Sequence, residues 1–90
     1  MKCRLILAKA AANMLRRMDR DLQRRMLAQF DRLCDSPLSP PLSDWVEGRH
    51  DLRKSRVGSW RILFRVENDS REVRVVAIRP RGQAYRDLPS

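Results

Sequence analysis

The sequence predicts an α+β fold: an N-terminal strand, then an antiparallel helical hairpin packed on one face of a small, twisted, mainly antiparallel sheet, in the order β-α-α-β-β-β. Three observations predict it. A short apolar run opens the chain, apolar residues recur every three or four positions from Lys9 to Cys34, and they alternate with polar ones from Leu52 onward. Ninety residues suffice for one domain with a thin core, so residues 1–90 are assigned to a single unit.

Each element has its own signal. Cys3 to Ala8 (CRLILA) reads as a short buried strand. From Lys9 to about Met18, the residues Ala11, Leu15 and Met18 share one helical face. Asp19 is placed to cap a second helix, Arg20 to about Cys34, because its short carboxylate can accept from an unpaired amide of the first turn. Leu22, Met26, Phe30 and Leu33 form the apolar stripe of that helix, flanked by Leu27 and Cys34, while Arg24, Arg25 and Arg32 fall to the wet side. So short a break between the helices predicts that they double back on each other. The loop Asp35 to Asp44 (DSPLSPPLSD) follows, and Pro37, Pro40 and Pro41 exclude a helix or a central strand there.

Alternation then takes over. Leu52 to Val57 is expected as a strand that turns at Gly58-Ser59 into another. In the latter, Trp60, Ile62, Phe64 and Val66 share one face and Arg61, Leu63 and Arg65 the other. Asn68-Asp69-Ser70 is the next turn, and Glu72 to Ile78 the returning strand, with Val73, Val75 and Ala77 on one face.

Charge narrows the function. Twenty Lys and Arg stand against eleven acids, for a net charge of +9 and a pI near 11.2. Only Lys2, Lys9 and Lys54 are lysines, so the excess is arginine, whose planar fork matches pairs of phosphate oxygens. A polyanionic partner is the first expectation. The strand half carries the denser field, with eleven basic and four acidic side chains between residues 49 and 86. The N-terminal apolar run breaks at Lys9, too short for a secretion signal, and no stretch is long enough to span a membrane. A soluble cytoplasmic protein is expected. Cys3 and Cys34 lie far apart; their separation admits a disulfide, but free thiols fit a cytosolic protein better. With one histidine and no C-x-x-C spacing, no metal site is expected, nor any cofactor.

The chemistry concentrates in Leu52 to Tyr85. Lys54 and Arg56 share side-chain parity and flank, with Arg61, the Gly58 turn; Arg53 points to the opposite face. Arg79 and Arg81 come after the last strand, with Tyr85 four residues further on. A cationic sheet with an aromatic ring at its margin suits single-stranded RNA: arginines hold phosphates, and the ring stacks on or orients a base.

Here the residues resemble a known family. S-R-V-G-S-W-R-I-L-F-R-V is similar to the L-R-x-G-x-Y-R-(I/V)-(I/L)-Y pattern of RelE/ParE-superfamily toxins, and A-I-R-P-R-G-Q-A-Y to their ending, in which an arginine precedes a tyrosine by four residues. The opening strand, two helices and proline-containing loop fit the same RelE-like layout. The resemblance implies a toxin of a type II toxin–antitoxin module, of the RelE type that cuts mRNA in the ribosomal A site. It also implies a cognate antitoxin that wraps over the toxin; to complement +9 this partner should be acidic, with an amphipathic helix. The family's reaction uses the RNA's own 2′-hydroxyl to attack the adjacent phosphate, which requires a base, charge neutralisation and an acid. By position, the resemblance makes Lys54 a catalytic lysine, Arg61 the transition-state clamp, Arg81 the arginine near the leaving group and Tyr85 the substrate-orienting ring. Arg53, Arg56 and Arg79 are expected to bind substrate.

Two features depart from the pattern. Leu52 stands where RelE-type enzymes often carry a second lysine, and Trp60 replaces a tyrosine, read as a core substitution. Two other functions share these features: a ParE-type inhibitor of DNA gyrase, and a non-catalytic RNA- or ribosome-binding module in which the arginines only grip phosphate. Tyr85 at its spacing favours the nuclease. His50 is read as a surface histidine, Trp45 as a core or lid residue, and Arg65, Arg71 and Arg74 as a solvated or ribosome-facing surface.

Overall fold

The computed structural model describes residues 3–37, 43–46, 48, 51–67 and 69–80. The elements are β1 (Arg4–Leu7), α1 (Lys9–Arg16), α2 (Arg20–Asp35), β2 (Asp44–Trp45), β3 (Arg53–Val57), β4 (Trp60–Glu67) and β5 (Glu72–Pro80). The order is the expected one, with a two-residue strand, β2, added where the stretch read as loop ends. Asp19 caps α2 as its position predicts: its carboxylate accepts from the Leu22 amide at 2.8 Å. Gln23 ties the two helices together, its Nε2 donating to the Leu15 carbonyl at 2.9 Å.

The five strands run β1-β5-β4-β3-β2 across one sheet. Every neighbouring pair is antiparallel except β1 and β5, which run parallel with Leu5 opposite Val73 and Leu7 opposite Val75. The β3–β4 turn needs a left-handed residue, and Gly58 supplies it with φ +57°.

Both helices cover one face. Ala11, Met26, Phe30 and Leu33 pack on Ile62, Phe64, Val73, Val75 and Ile78, with Trp60 half-buried beside them as the core substitution predicted. Burying side chains of this size contributes about 1.5–3 kcal/mol each. Leu27, expected to flank the stripe, is 52% exposed.

Two expectations are corrected. Cys3 and Cys34 are joined in a disulfide with Cα atoms 4.9 Å apart, so they are not free thiols. The sheet fixes Cys3 just before β1 while α2 returns Cys34 to the same spot, a proximity that sequence separation does not reveal. Ala77 does not share a face with Val73 and Val75. Leu63 pairs with Ala77 and Phe64 with Val75, leaving Val76 as an extra residue in β5. This bulge reverses side-chain parity beyond it. Ile78 therefore joins the helix-side core, whereas Val76 and Ala77 join a smaller cluster with Val46, Leu52 and Leu63 on the other face.

Candidate functional site

The face of the sheet turned away from the helices carries the cations, and strand register sorts them into rows. Arg56 of β3 lies opposite Arg61 of β4, and Arg61 lies opposite Arg79 of β5. Three guanidinium-bearing residues thus line up on three adjacent strands, with Cβ atoms of directly opposed residues about 4.5–5.5 Å apart. The next row holds Asp44, Lys54, Leu63 and Ala77. Lys54 is half-buried there, one row from the arginines and on the same face. Arg79 reaches this face because of the bulge. In a regular strand of the same sequence its parity would match Val73 and Val75 and aim it into the helices.

Rigid surroundings hold the row. The apolar cluster of Val46, Leu52, Leu63, Val76 and Ala77 covers the middle of the face, and the Val46 amide donates to the Leu52 carbonyl at 3.0 Å. Leu52 is fully buried in that cluster, so the position where RelE-type enzymes often have a lysine is a packing residue. At the far side Arg65 lies opposite Arg74, and Arg65 Nε approaches the Asp51 carboxylate at 3.6 Å.

Of the residues singled out in the sequence, Lys54, Arg56, Arg61 and Arg79 come together on one face, with Arg79 inside β5 rather than after it. Arg53 does not join them. It lies on the opposite face, as its parity requires, 8% exposed, with Nε donating to Ser43 Oγ and the guanidinium 4.5 Å from the centre of the Trp45 ring. That place ties β2 to β3 and sets Arg53 apart from the other candidate cations. Trp45 itself is 53% exposed and stacked by Arg53, so it is a clamp on the edge strand and not a core residue. Arg81, Tyr85 and His50 lie outside the described residues. Asp44, opposite Lys54, is the neighbour that sequence reasoning missed, because a two-residue strand has too little alternation to detect.

Like charges set directly opposite one another destabilise a sheet. The Arg56–Arg61–Arg79 row sets such like charges opposite one another, and each guanidinium offers a paired set of donors to the phosphate oxygens of a polyanion. Among the described residues no three His, Cys, Asp or Glu side chains gather to hold a metal ion, and no helix is long and apolar enough to cross a membrane.

Comparison with known proteins agrees with this layout. A family model described as the ParE toxin of the type II toxin–antitoxin system parDE matches residues 5–85. No curated protein matches the sequence. Among solved structures, the chain is similar to one from the archaeal RelE–RelB complex of Pyrococcus horikoshii OT3, with a TM-score of 0.76 and 24% identity, covering 93% of this chain and 100% of that one. The isolated Escherichia coli RelE toxin gives a TM-score of 0.77 at 14% identity, covering 91% and 87% of the two chains. A YoeB/ParE toxin from Agrobacterium tumefaciens gives 0.74 at 13%, covering 86% and 96%. At these identities the structural likeness is one of fold.

Proposed function

Because this chain belongs to the ParE toxin family of type II toxin–antitoxin systems and has the RelE/ParE fold, we propose that it is a toxin whose activity is cleavage of mRNA in the ribosomal A site, without metal or cofactor. The observation that carries this reading is the row of Arg56, Arg61 and Arg79 with Lys54 beside it, on rigid strands of one face. A phosphodiester lying along the row has its charge neutralised from several sides.

The reaction then needs little else. The RNA's 2′-hydroxyl gives up its proton to Lys54 and attacks the adjacent phosphorus. Arg61 stabilises the extra negative charge of the phosphorane, with Arg56 and Arg79 holding the flanking backbone. The bond to the 5′-oxygen breaks, leaving a 2′,3′-cyclic phosphate on one fragment and, once that oxygen takes a proton, a 5′-hydroxyl on the other. Following the family pattern, Arg81 lies near the leaving oxygen, binding phosphate first and donating only late, since a guanidinium hardly ever releases its proton. Tyr85 orients the base. Such a toxin acts in the cytoplasm. Its partner is an acidic antitoxin with an amphipathic helix, a reading supported by the similar RelE chains that were crystallised with RelB.

One observation favours a second reading. The matched family is that of ParE toxins, and Leu52 is buried where a second catalytic lysine is often found, which suits an inhibitor of DNA gyrase that shares the fold. Induction of the wild-type chain and of Arg61→Ala in bacteria, with mapping of RNA 5′-hydroxyl ends, separates the two. New cuts in translated mRNA that vanish in the variant support the nuclease. Growth arrest with intact RNA and a DNA-damage response supports the gyrase inhibitor, and RNA binding without new ends supports a non-catalytic module.

A further inference from the structure

The cationic surface does not stop at Arg56. β2 pairs only with Arg53 and Lys54, so among the described residues no strand lies beside the outer edge of β3 from Ser55 to Val57. Helix α2 takes that place: Gln29 Nε2 donates to Ser55 Oγ at 2.7 Å and to the Arg56 carbonyl at 3.3 Å. Between α2 and this edge lies a groove of about 330 Å³, lined by Arg25, Ala28, Gln29, Arg32, Arg56, Val57 and Gly58. Arg25, Gln29 and Arg32 are spaced four and three residues apart, which places them on one face of the helix. Three arginines therefore line the groove, and no carboxylate is among the described residues that line it. Gly58 lies against the Arg25 guanidinium, and a Cβ there would meet its Nη2 at 3.1 Å.

We propose that this groove is a second phosphate-binding subsite, which takes the backbone of the same RNA strand after it leaves the sheet face over the edge of β3. The inference rests on the RNA-cleaving reading of that face. Arg56 belongs to both surfaces and makes them one continuous cationic track: Arg79, Arg61 and Arg56 across the sheet, then Arg32 and Arg25 along α2. The lining argues for a nucleic-acid backbone over an antitoxin helix. An amphipathic helix needs apolar pockets at several turns, and the groove offers only Ala28 and Val57. Paired guanidinium donors suit phosphodiester oxygens instead.

The test uses the full chain and uncleavable RNA, a trinucleotide and a dodecamer each carrying 2′-O-methylribose at every position. Binding is measured over a range of salt concentrations for the wild type, Arg61→Ala, the double variant Arg25→Gln/Arg32→Gln and its charge-keeping counterpart Arg25→Lys/Arg32→Lys. For the dodecamer, the Gln variant is expected to bind about tenfold more weakly, and its salt slope to fall by about 0.7 for each phosphate it no longer neutralises. The Lys variant should recover most of that affinity, and trinucleotide binding should not change. Arg61→Ala should weaken both oligonucleotides. Equal dodecamer binding by the wild type and the Gln variant, with Arg61→Ala still impaired, overturns the subsite and leaves the sheet-face reading intact. Loss of antitoxin binding in the Gln variant with RNA binding unchanged assigns the groove to the protein partner and likewise overturns it. A wild-type chain that binds neither oligonucleotide removes both the subsite and the reading beneath it.

Discussion

The two faces of the sheet are built from the same strands and differ in what their side chains meet. On the helix side, Ile62, Phe64, Val73, Val75 and Ile78 are sealed under α1 and α2, and their burial lowers the free energy of the folded chain. On the other side, a small apolar cluster anchors the middle, and arginines face one another across strands: Arg56, Arg61 and Arg79 in one row, and Arg65, with Asp51 near it, opposite Arg74 in another. The apolar burial is concentrated on one face, and the other is left to present charge. Real proteins break the rules of local consistency where they function.

Variants that break this division should behave differently by face. The largest effect is expected for Phe64→Ala, which empties the centre of the helix-side core and should cost about 3–5 kcal/mol in a denaturant titration. Replacing both cysteines, as in Cys3→Ser/Cys34→Ser, removes a cross-link spanning 31 positions and should cost about 3–4 kcal/mol by chain entropy. Toxicity should survive that change, since the disulfide joins β1 to α2 on the helix side of the sheet; a non-toxic but folded double variant would tie the disulfide to function. On the open face the order reverses. Arg61→Ala should leave the melting temperature nearly unchanged while cleavage falls about a hundredfold, near 2.7 kcal/mol of transition-state stabilisation. Asp19→Ala removes the cap of α2 and should cost about 1 kcal/mol with activity unaffected. The smallest change is expected for Arg56→Gln. Relieving one like-charge pair should raise stability by on the order of a few tenths of a kcal/mol at low salt, an increment that fades as salt is added, while RNA affinity falls.

One face is far more legible in the sequence than the other. Alternation along Trp60–Glu67 announces which residues are inside, and the 3–4 spacing of Leu22, Met26, Phe30 and Leu33 announces the helix that covers them. Asp19 is recognisable as a cap because capping is local chemistry. The shared face of Lys54 and Arg56 follows from parity alone. The bulge does not. Val75-Val76-Ala77-Ile78 is apolar throughout, so nothing in its pattern marks the extra residue, and the face of Arg79 depends on it. Long-range features are equally hidden: the parallel pairing of β1 with β5, and the return of Cys34 to Cys3, both depend on how the hairpin packs. Arg25 and Arg32 are visible as wet-side residues of α2. That this side borders the outer edge of β3 is a tertiary fact.

The central claim is that the arginine row performs phosphodiester cleavage and does more than hold RNA. The most direct measurement programmes purified ribosomes with a defined mRNA, adds purified wild-type or Arg61→Ala protein, and determines the chemistry of the new RNA ends. The account predicts paired 2′,3′-cyclic phosphate and 5′-hydroxyl ends within the A-site codon for the wild type, and about a hundredfold fewer for the folded variant. Intact mRNA with the wild-type protein, or equal cleavage by the variant, would contradict it.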